Sequence, residues 1–240
     1  MRLARWCILG VVLLPSWGWG QPLFSLAPSL ETPFSLGGGY YALHFQPDEG
    51  STSELSYTAA AYGIYYARSD LEASLVYGPS TRRSGYHRLL DAAFLVHYPL
   101  VLWHTDRVQW SIPLGLEVRY RAVNKQAEQA EPAFQAMSFL IAAGPALRAR
   151  VGNLQVEGKA TYALGISSRP FSNQTGRASR AGVHVRLHLR DLFSSYGLTL
   201  GYGYSIQEWN IASSVFSRER ATRWHYRDAM QIVTLGVNWR

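Results

Sequence analysis

Eight acids and histidines lie in or beside polar, turn-rich stretches of this 240-residue chain: His44, Asp48, Glu54, His87, Asp91, Glu208, His225 and Asp228. A carboxylate set against a histidine moves protons, and a histidine beside a hydroxyl activates a nucleophile. These groups are the raw material of a protease or of an enzyme that transfers acyl chains. No spacing among them matches a hydrolytic motif, so no catalytic set emerges. His184 and His188 suggest a metal instead. Four residues along an extended strand put them roughly 13 Å apart, beyond sharing one ion. No metal and no cofactor is expected.

What does repeat is charge at alternate positions. Across 180–190, Ala181, Val183, Val185, Leu187 and Leu189 alternate with Arg180, Gly182, His184, Arg186, His188 and Arg190. Successive side chains of a strand point to opposite faces, so one face here is aliphatic and the other cationic. A helix would scatter both sets around its circumference. The same pattern sets Glu117, Arg119 and Arg121 against Leu116, Val118 and Tyr120, and Arg148 and Arg150 against Leu147 and Ala149. Glu157 and Lys159 likewise oppose Val156 and Ala160.

The elements that carry these faces follow from the bulk composition. Charged residues make up 16% of the chain, with 15 Tyr and 8 Trp; a soluble domain typically carries roughly 25% charge. Beyond the N-terminus no run approaches the ~18–20 apolar residues of a membrane-spanning helix. The chain is apolar but finely divided, as a β-protein is.

Residues 1–20 read as a secretory signal peptide: Arg2 and Arg5, an apolar run from Trp6 to Leu14, Pro15, then Gly18 and Gly20 before Gln21. Its removal would take away Cys7, the only cysteine, and lower the formal charge from +7 to +5. That modest positive balance suits anionic surfaces in an exported protein and gives no reason to expect nucleic acid. Residues 21–34 carry three prolines and read as an extended lead-in.

From Ser35 on, ten alternating segments follow: 35–45, 54–67, 71–78, 88–103, 108–121, 134–151, 154–167, 180–190, 196–208 and 229–240. In 35–45, Tyr41, Leu43 and Phe45 share a face thinned by Gly37 and Gly39. In 54–67, Leu55, Tyr57, Ala59 and Ala61 share one face, and Tyr62, Ile64 and Tyr66 suggest a change of phase at a bulge. The connections alternate between long and short. Membrane barrels sort their connections this way, with short turns on the periplasmic side and longer loops outside. An even strand number leaves both termini on the turn side. Most segments reach the ~9–11 residues that a tilted spanning strand needs. Trp110 and Tyr120 share a face ten residues apart, roughly 25 Å of height at a tilt near 40°, as two aromatic girdles require.

A signal peptide, ten alternating strands and a final Gln231-Ile-Val-Thr-Leu-Gly-Val-Asn-Trp-Arg240 resemble a small bacterial outer-membrane β-barrel. The resemblance implies that residues 35–240 form a ten-stranded antiparallel transmembrane β-barrel. It also implies that the last strand, through Trp239, signals to the barrel-assembly machinery; Arg240 after the aromatic residue departs from the usual ending. The apolar faces then meet lipid. The lumen is lined by Arg119, Arg121, Arg148, Arg150, Lys159, His184, Arg186, His188 and Arg190, with Glu72, Asp91, Glu117 and Glu157 as counter-charges. Unpaired charge in a narrow lumen is costly, so these groups should form networks.

The function expected is non-enzymatic: a structural envelope component, or a narrow pore for small anionic or polar solutes. The alternatives are an enzyme with its site at the outer rim, or a soluble, exported lipocalin-like barrel with the opposite polarity. Arg218, Arg220, Arg223 and Arg227 are the candidates for contact with lipopolysaccharide phosphates. The expected partners are outer-membrane lipid, lipopolysaccharide and, during biogenesis, the assembly machinery. Nothing in the sequence fixes an oligomeric state.

Overall fold

The computed structural model describes residues 30, 33–47, 57–79, 88–124, 134–170, 174–212 and 223–239. They form β1 (Phe34–Pro47), β2 (Tyr57–Ala67), β3 (Leu71–Pro79), β4 (Arg88–His104), β5 (Val108–Asn124), β6 (Phe134–Ala143), β7 (Ala146–Val151), β8 (Leu154–Ser168), β9 (Thr175–Phe193), β10 (Tyr196–Ala212) and β11 (Arg223–Trp239). Strands β6 and β7 lie end to end between β5 and β8, interrupted at Gly144-Pro145. Proline has no N–H for the ladder. Its carbonyl still accepts from the Ala160 amide at 3.0 Å, so the two halves make one stave.

Each stave pairs antiparallel with the next in sequence, and β11 returns to pair with β1 from Phe34↔Trp239 to Pro47↔Tyr226. The pairing β4–β5 completes the circuit, giving a closed barrel of ten staves. Closure pairs the backbone round the barrel except along the part of β4 that outruns β3, as lipid demands. The connections sort by end of the barrel. Those after β2, β4, β7 and β9 are two or three residues long, and those after β1, β3, β5, β8 and β10 are six to ten. Both termini of the barrel lie at the short-turn end.

The polarity is inverted relative to a soluble barrel. On β9, Ala181, Val183, Val185, Leu187 and Leu189 are exposed, whereas Arg180, His188 and Arg190 are buried. On β5, Trp110, Leu114 and Leu116 point outward and Gln109, Ser111, Glu117, Arg119 and Arg121 inward. Trp103, Trp110, Phe193 and Tyr196 are exposed on the outer surface near the short turns. An apolar exterior of this extent does not suit water. The lipocalin-like alternative is thereby set aside.

Two local expectations change. Strand β2 keeps one phase, with no register shift against β1 or β3, so Tyr62 and Ile64 face out while Ala61 and Tyr65 face in. The register shifts instead between Val101 and Trp103 on β4, and at the β9–β10 turn, where Asp191 and Ser194 take positive φ. Strands β9, β10 and β11 also run farther toward the long loops than 180–190, 196–208 and 229–240. Here Trp209 pairs with Tyr226, and Ile211 pairs with Trp224. Trp209, Ile211 and Tyr226 are apolar on the inner face, which erases the contrast that marks a strand in sequence.

Strand β3 begins at Leu71 opposite Val96, and the His97 amide donates to the Asp70 carbonyl at 2.9 Å. Among the described residues, 98–104 of β4 therefore have no partner on the β3 side. Pro99 and the bulge near Val101 lie on that edge, two devices that discourage further strand addition.

Candidate functional site

The long-loop end of the lumen is apolar. A cluster of fully buried side chains draws on eight of the strands: Tyr41, Leu43 and Phe45 (β1), Ala61 (β2), Val76 (β3), Leu89 (β4), Val123 (β5), Phe134 and Ala136 (β6), Trp209 and Ile211 (β10), Tyr226 and Met230 (β11). Its centre is aromatic. Phe45 lies 4.5 Å from Tyr226 and 4.7 Å from Phe134 by ring centroids, and Phe134 lies 4.8 Å from Tyr226. Strands β1 and β6 stand on opposite sides of the barrel, so these rings meet across its bore. Tyr41, Leu43 and Phe45, an apolar face expected to meet lipid, thus point inward; Gly37 and Gly39 share that face.

Beneath the rings is a clamp. Arg121 Nε donates to Asp91 Oδ2 at 2.7 Å, and Arg121 Nη1 pairs with Asp228 Oδ2 from the opposite wall. Trp209 Nε1 donates to the same Asp228 oxygen at 2.7 Å, and the guanidinium carbon sits 5.7 Å from the Trp209 ring centroid. Arg119 Nε is 3.4 Å from Asp91 Oδ1, and its Nη1 donates to Gln207 at 2.9 Å.

The middle of the lumen is charged. Arg180 donates to Glu117 at 2.5 Å. Arg186 reaches across the barrel to grip Glu72 with two bonds of 3.2 and 2.9 Å, and Lys159 reaches Glu72 at 2.5 Å. His97 Nε2 stands 3.5 Å from the same carboxylate. Arg148 pairs with Glu157 at 3.3 Å. The interior thus sets Arg119, Arg121, Arg148, Lys159, Arg180 and Arg186 against Glu72, Asp91, Glu117, Glu157 and Asp228. Glycine makes room for the long side chains: a Cβ on Gly203 would lie 2.6 Å from His184 Nδ1, and one on Gly39 2.8 Å from the Tyr41 ring. A cavity of about 90 Å³ remains, bordered by Tyr41, Glu72, Glu117, Arg119, Arg180, His184 and Arg186. That is room for several waters.

Toward the short turns the interior is polar. Thr199 bonds Ser35 at 3.0 Å, His188 Nδ1 at 2.8 Å and Asn238 at 3.0 Å, and Arg190 donates to Gln155 at 3.2 Å. Arg150 instead turns toward the Gly152 carbonyl at 3.4 Å and is only partly buried. The Leu30 amide donates to Gln109 Oε1 at 2.6 Å. Trp239 stacks on Phe34 at 5.9 Å, where β11 closes on β1, and Arg68 lies over the Phe34 ring.

The sequence-derived sets separate in space. His184 contacts Arg180 Nη2 at 3.4 Å, whereas His188 bonds Thr199, so the two rings serve different neighbours. Among the described residues no three His, Cys, Asp or Glu side chains gather as a metal site would require. Of the rim acids and histidines, Asp91 and Asp228 meet on Arg121. His44 bonds Thr58 and Gln46 at 2.8 and 2.9 Å on the outer surface, and Glu208 accepts from Ser179 at 3.2 Å, also outside. His225 is on the outer face, and Asp48, Glu54 and His87 lie outside the described residues. Arg227 is exposed at the long-loop rim, the Arg223 backbone pairs with Ala212, and Arg218 and Arg220 lie outside the described residues. Sequence reasoning left Arg180, His97 and Trp209 out of the lumen set and placed Asp228 only at the rim. For Arg180 the strand alternation already carried the signal.

No family model matches the chain, and no curated protein does. Among solved structures it is similar to the outer membrane protease OmpT from Escherichia coli, at 9% identity over 91% of this chain and 99% of that one, TM-score 0.48. It is also similar to the translocator domain of the autotransporter NalP from Neisseria meningitidis, at 13% identity over 99% and 96%, TM-score 0.35. Neisserial surface protein A follows at 12% identity over 87% and 97%, TM-score 0.36. The fold itself is fixed by the chain's own register and polarity. Ten antiparallel staves closed on themselves, apolar outside and charged within, make this chain an outer-membrane-type β-barrel.

Proposed function

We propose that the protein is a non-enzymatic, structural barrel of the outer membrane whose lumen is closed. The observation that carries this reading is the contact of Phe45 on β1 with Phe134 on the opposite stave β6, with Tyr226 packed against both. Below the rings, Arg121–Asp228 and Arg186–Glu72 join opposite walls. A ten-stranded barrel encloses little more than side-chain volume, and these side chains fill much of it, leaving a cavity of about 90 Å³ at mid-lumen.

A narrow pore needs a continuous water path, and fully buried rings across the bore oppose one. An enzyme of the rim needs its acids and histidines together. Here Asp91 and Asp228 are committed to Arg121, while His44 and Glu208 face the other side of the wall. Under this reading residues 1–20 are the export signal, 21–34 the lead-in, and Trp239 the assembly signal, and the loop arginines meet outer-leaflet lipopolysaccharide.

The test is solute entry. Liposomes carrying the refolded barrel should swell no faster than protein-free liposomes in isotonic arabinose or sodium chloride. Swelling faster than the protein-free control would reject the closed-lumen reading.

A further inference from the structure

We propose that the mid-lumen cavity is a binding site for one small monovalent anion, of halide size. Between the aromatic cluster and the polar short-turn end, the described interior holds six arginines and lysines against five carboxylates. Glu72 serves two of the cations, Lys159 and Arg186. One positive charge is therefore left without a carboxylate of its own among these largely buried side chains. Excess charge in such a place is costly unless something neutralises it.

The cavity supplies both the room and the donors. Its volume of about 90 Å³ exceeds what one water needs. Arg119, Arg180 and Arg186 all border it. The Arg180 side chain is nine-tenths buried, and its Nε–H has no hydrogen-bond partner. Arg180 borders the cavity and carries an unmet guanidinium N–H, and charge-assisted bonds to such donors are the strong ones. Glu72 and Glu117 also border the cavity, which disfavours a multivalent or bulky anion. The site needs only the cavity and the charges around it, so it stands whether or not the barrel conducts.

Bromide is the probe. Protein refolded in sodium bromide and crystallised from it should give one anomalous bromine peak inside the cavity, within hydrogen-bond reach of at least one of the three arginines. The wild-type thermal midpoint should be higher in sodium bromide than in sodium gluconate at equal ionic strength, because an ion bound only by the folded state stabilises it. The difference should vanish in Arg119→Gln, whose charges balance, and persist in Glu117→Gln, whose excess is larger. Both variants change one buried charge, so generic damage would affect them alike. A cavity holding no bromine in the wild-type crystal, or the same bromide response in both variants, would overturn the proposal.

Discussion

Arg121 on β5 and Asp228 on β11 face each other across the lumen, joined by an ion pair in which neither side chain is exposed to solvent. They are far apart in sequence, and the pair exists only because the barrel closes. Desolvating two charges is costly, and breaking such a pair is costlier still, since it strands one charge. Asp228→Asn should lower the unfolding free energy in a urea titration of the lipid-refolded protein by about 3–5 kcal/mol. In a cycle with Arg121→Met, the double variant should cost less than the sum of the singles, by at least ~1 kcal/mol. Simple additivity would mean the two groups do not act as a pair.

The aromatic seal makes a separate prediction about packing. Phe134 is fully buried and contacts Phe45, Tyr226 and Trp209. Phe134→Ala should destabilise the barrel by roughly 3–5 kcal/mol. Tyr62→Ala on the lipid-facing side removes a ring that is 68% exposed and should cost much less. Equal losses in the same urea titration would show that the inner rings are not a packed core.

Two glycines of β8 separate backbone crowding from surface tolerance. A Cβ on Gly165 would strike the Phe139 carbonyl oxygen and come within 2.9 Å of Leu140 Cα, whereas one on Gly158 meets nothing within 4 Å. Gly165→Ala should cost about 1–3 kcal/mol through displacement of β6. Gly158→Ala should change stability by no more than about 1 kcal/mol, in the stabilising direction. The heat-modifiable gel mobility of the two variants, followed against temperature, checks the order.

The staves were legible in the sequence wherever an aliphatic face opposed a polar one, as in Val183/His184/Val185/Arg186 or Leu116/Glu117/Val118/Arg119. The contrast fails where both faces are apolar. Tyr41, Leu43 and Phe45 carry the pattern of a lipid face and point into the lumen. Around Trp209 and Tyr226 the strands continue into a stretch that reads as loop. Phase alone cannot say which of two apolar faces is inside. The pairings Arg121–Asp228 and Arg186–Glu72 were beyond reach for another reason: they depend on which staves end up opposite each other, and alternation along one strand holds no record of that.

The loop arginines give a test at the surface. Replacing Arg218, Arg220, Arg223 and Arg227 by Gln should reduce lipopolysaccharide that co-purifies with the barrel, without changing its thermal midpoint by more than a surface change does. Unchanged lipopolysaccharide per barrel, determined by phosphate assay, would remove these residues from the contact.

The claim at the centre is that Phe45, Phe134 and Tyr226 close the bore, with Arg121–Asp228 locked beneath them. Planar-bilayer recording of the refolded wild-type protein in potassium chloride tests it most directly. The account predicts no discrete conductance steps from the wild-type barrel. Uniform steps from the wild-type protein would contradict it.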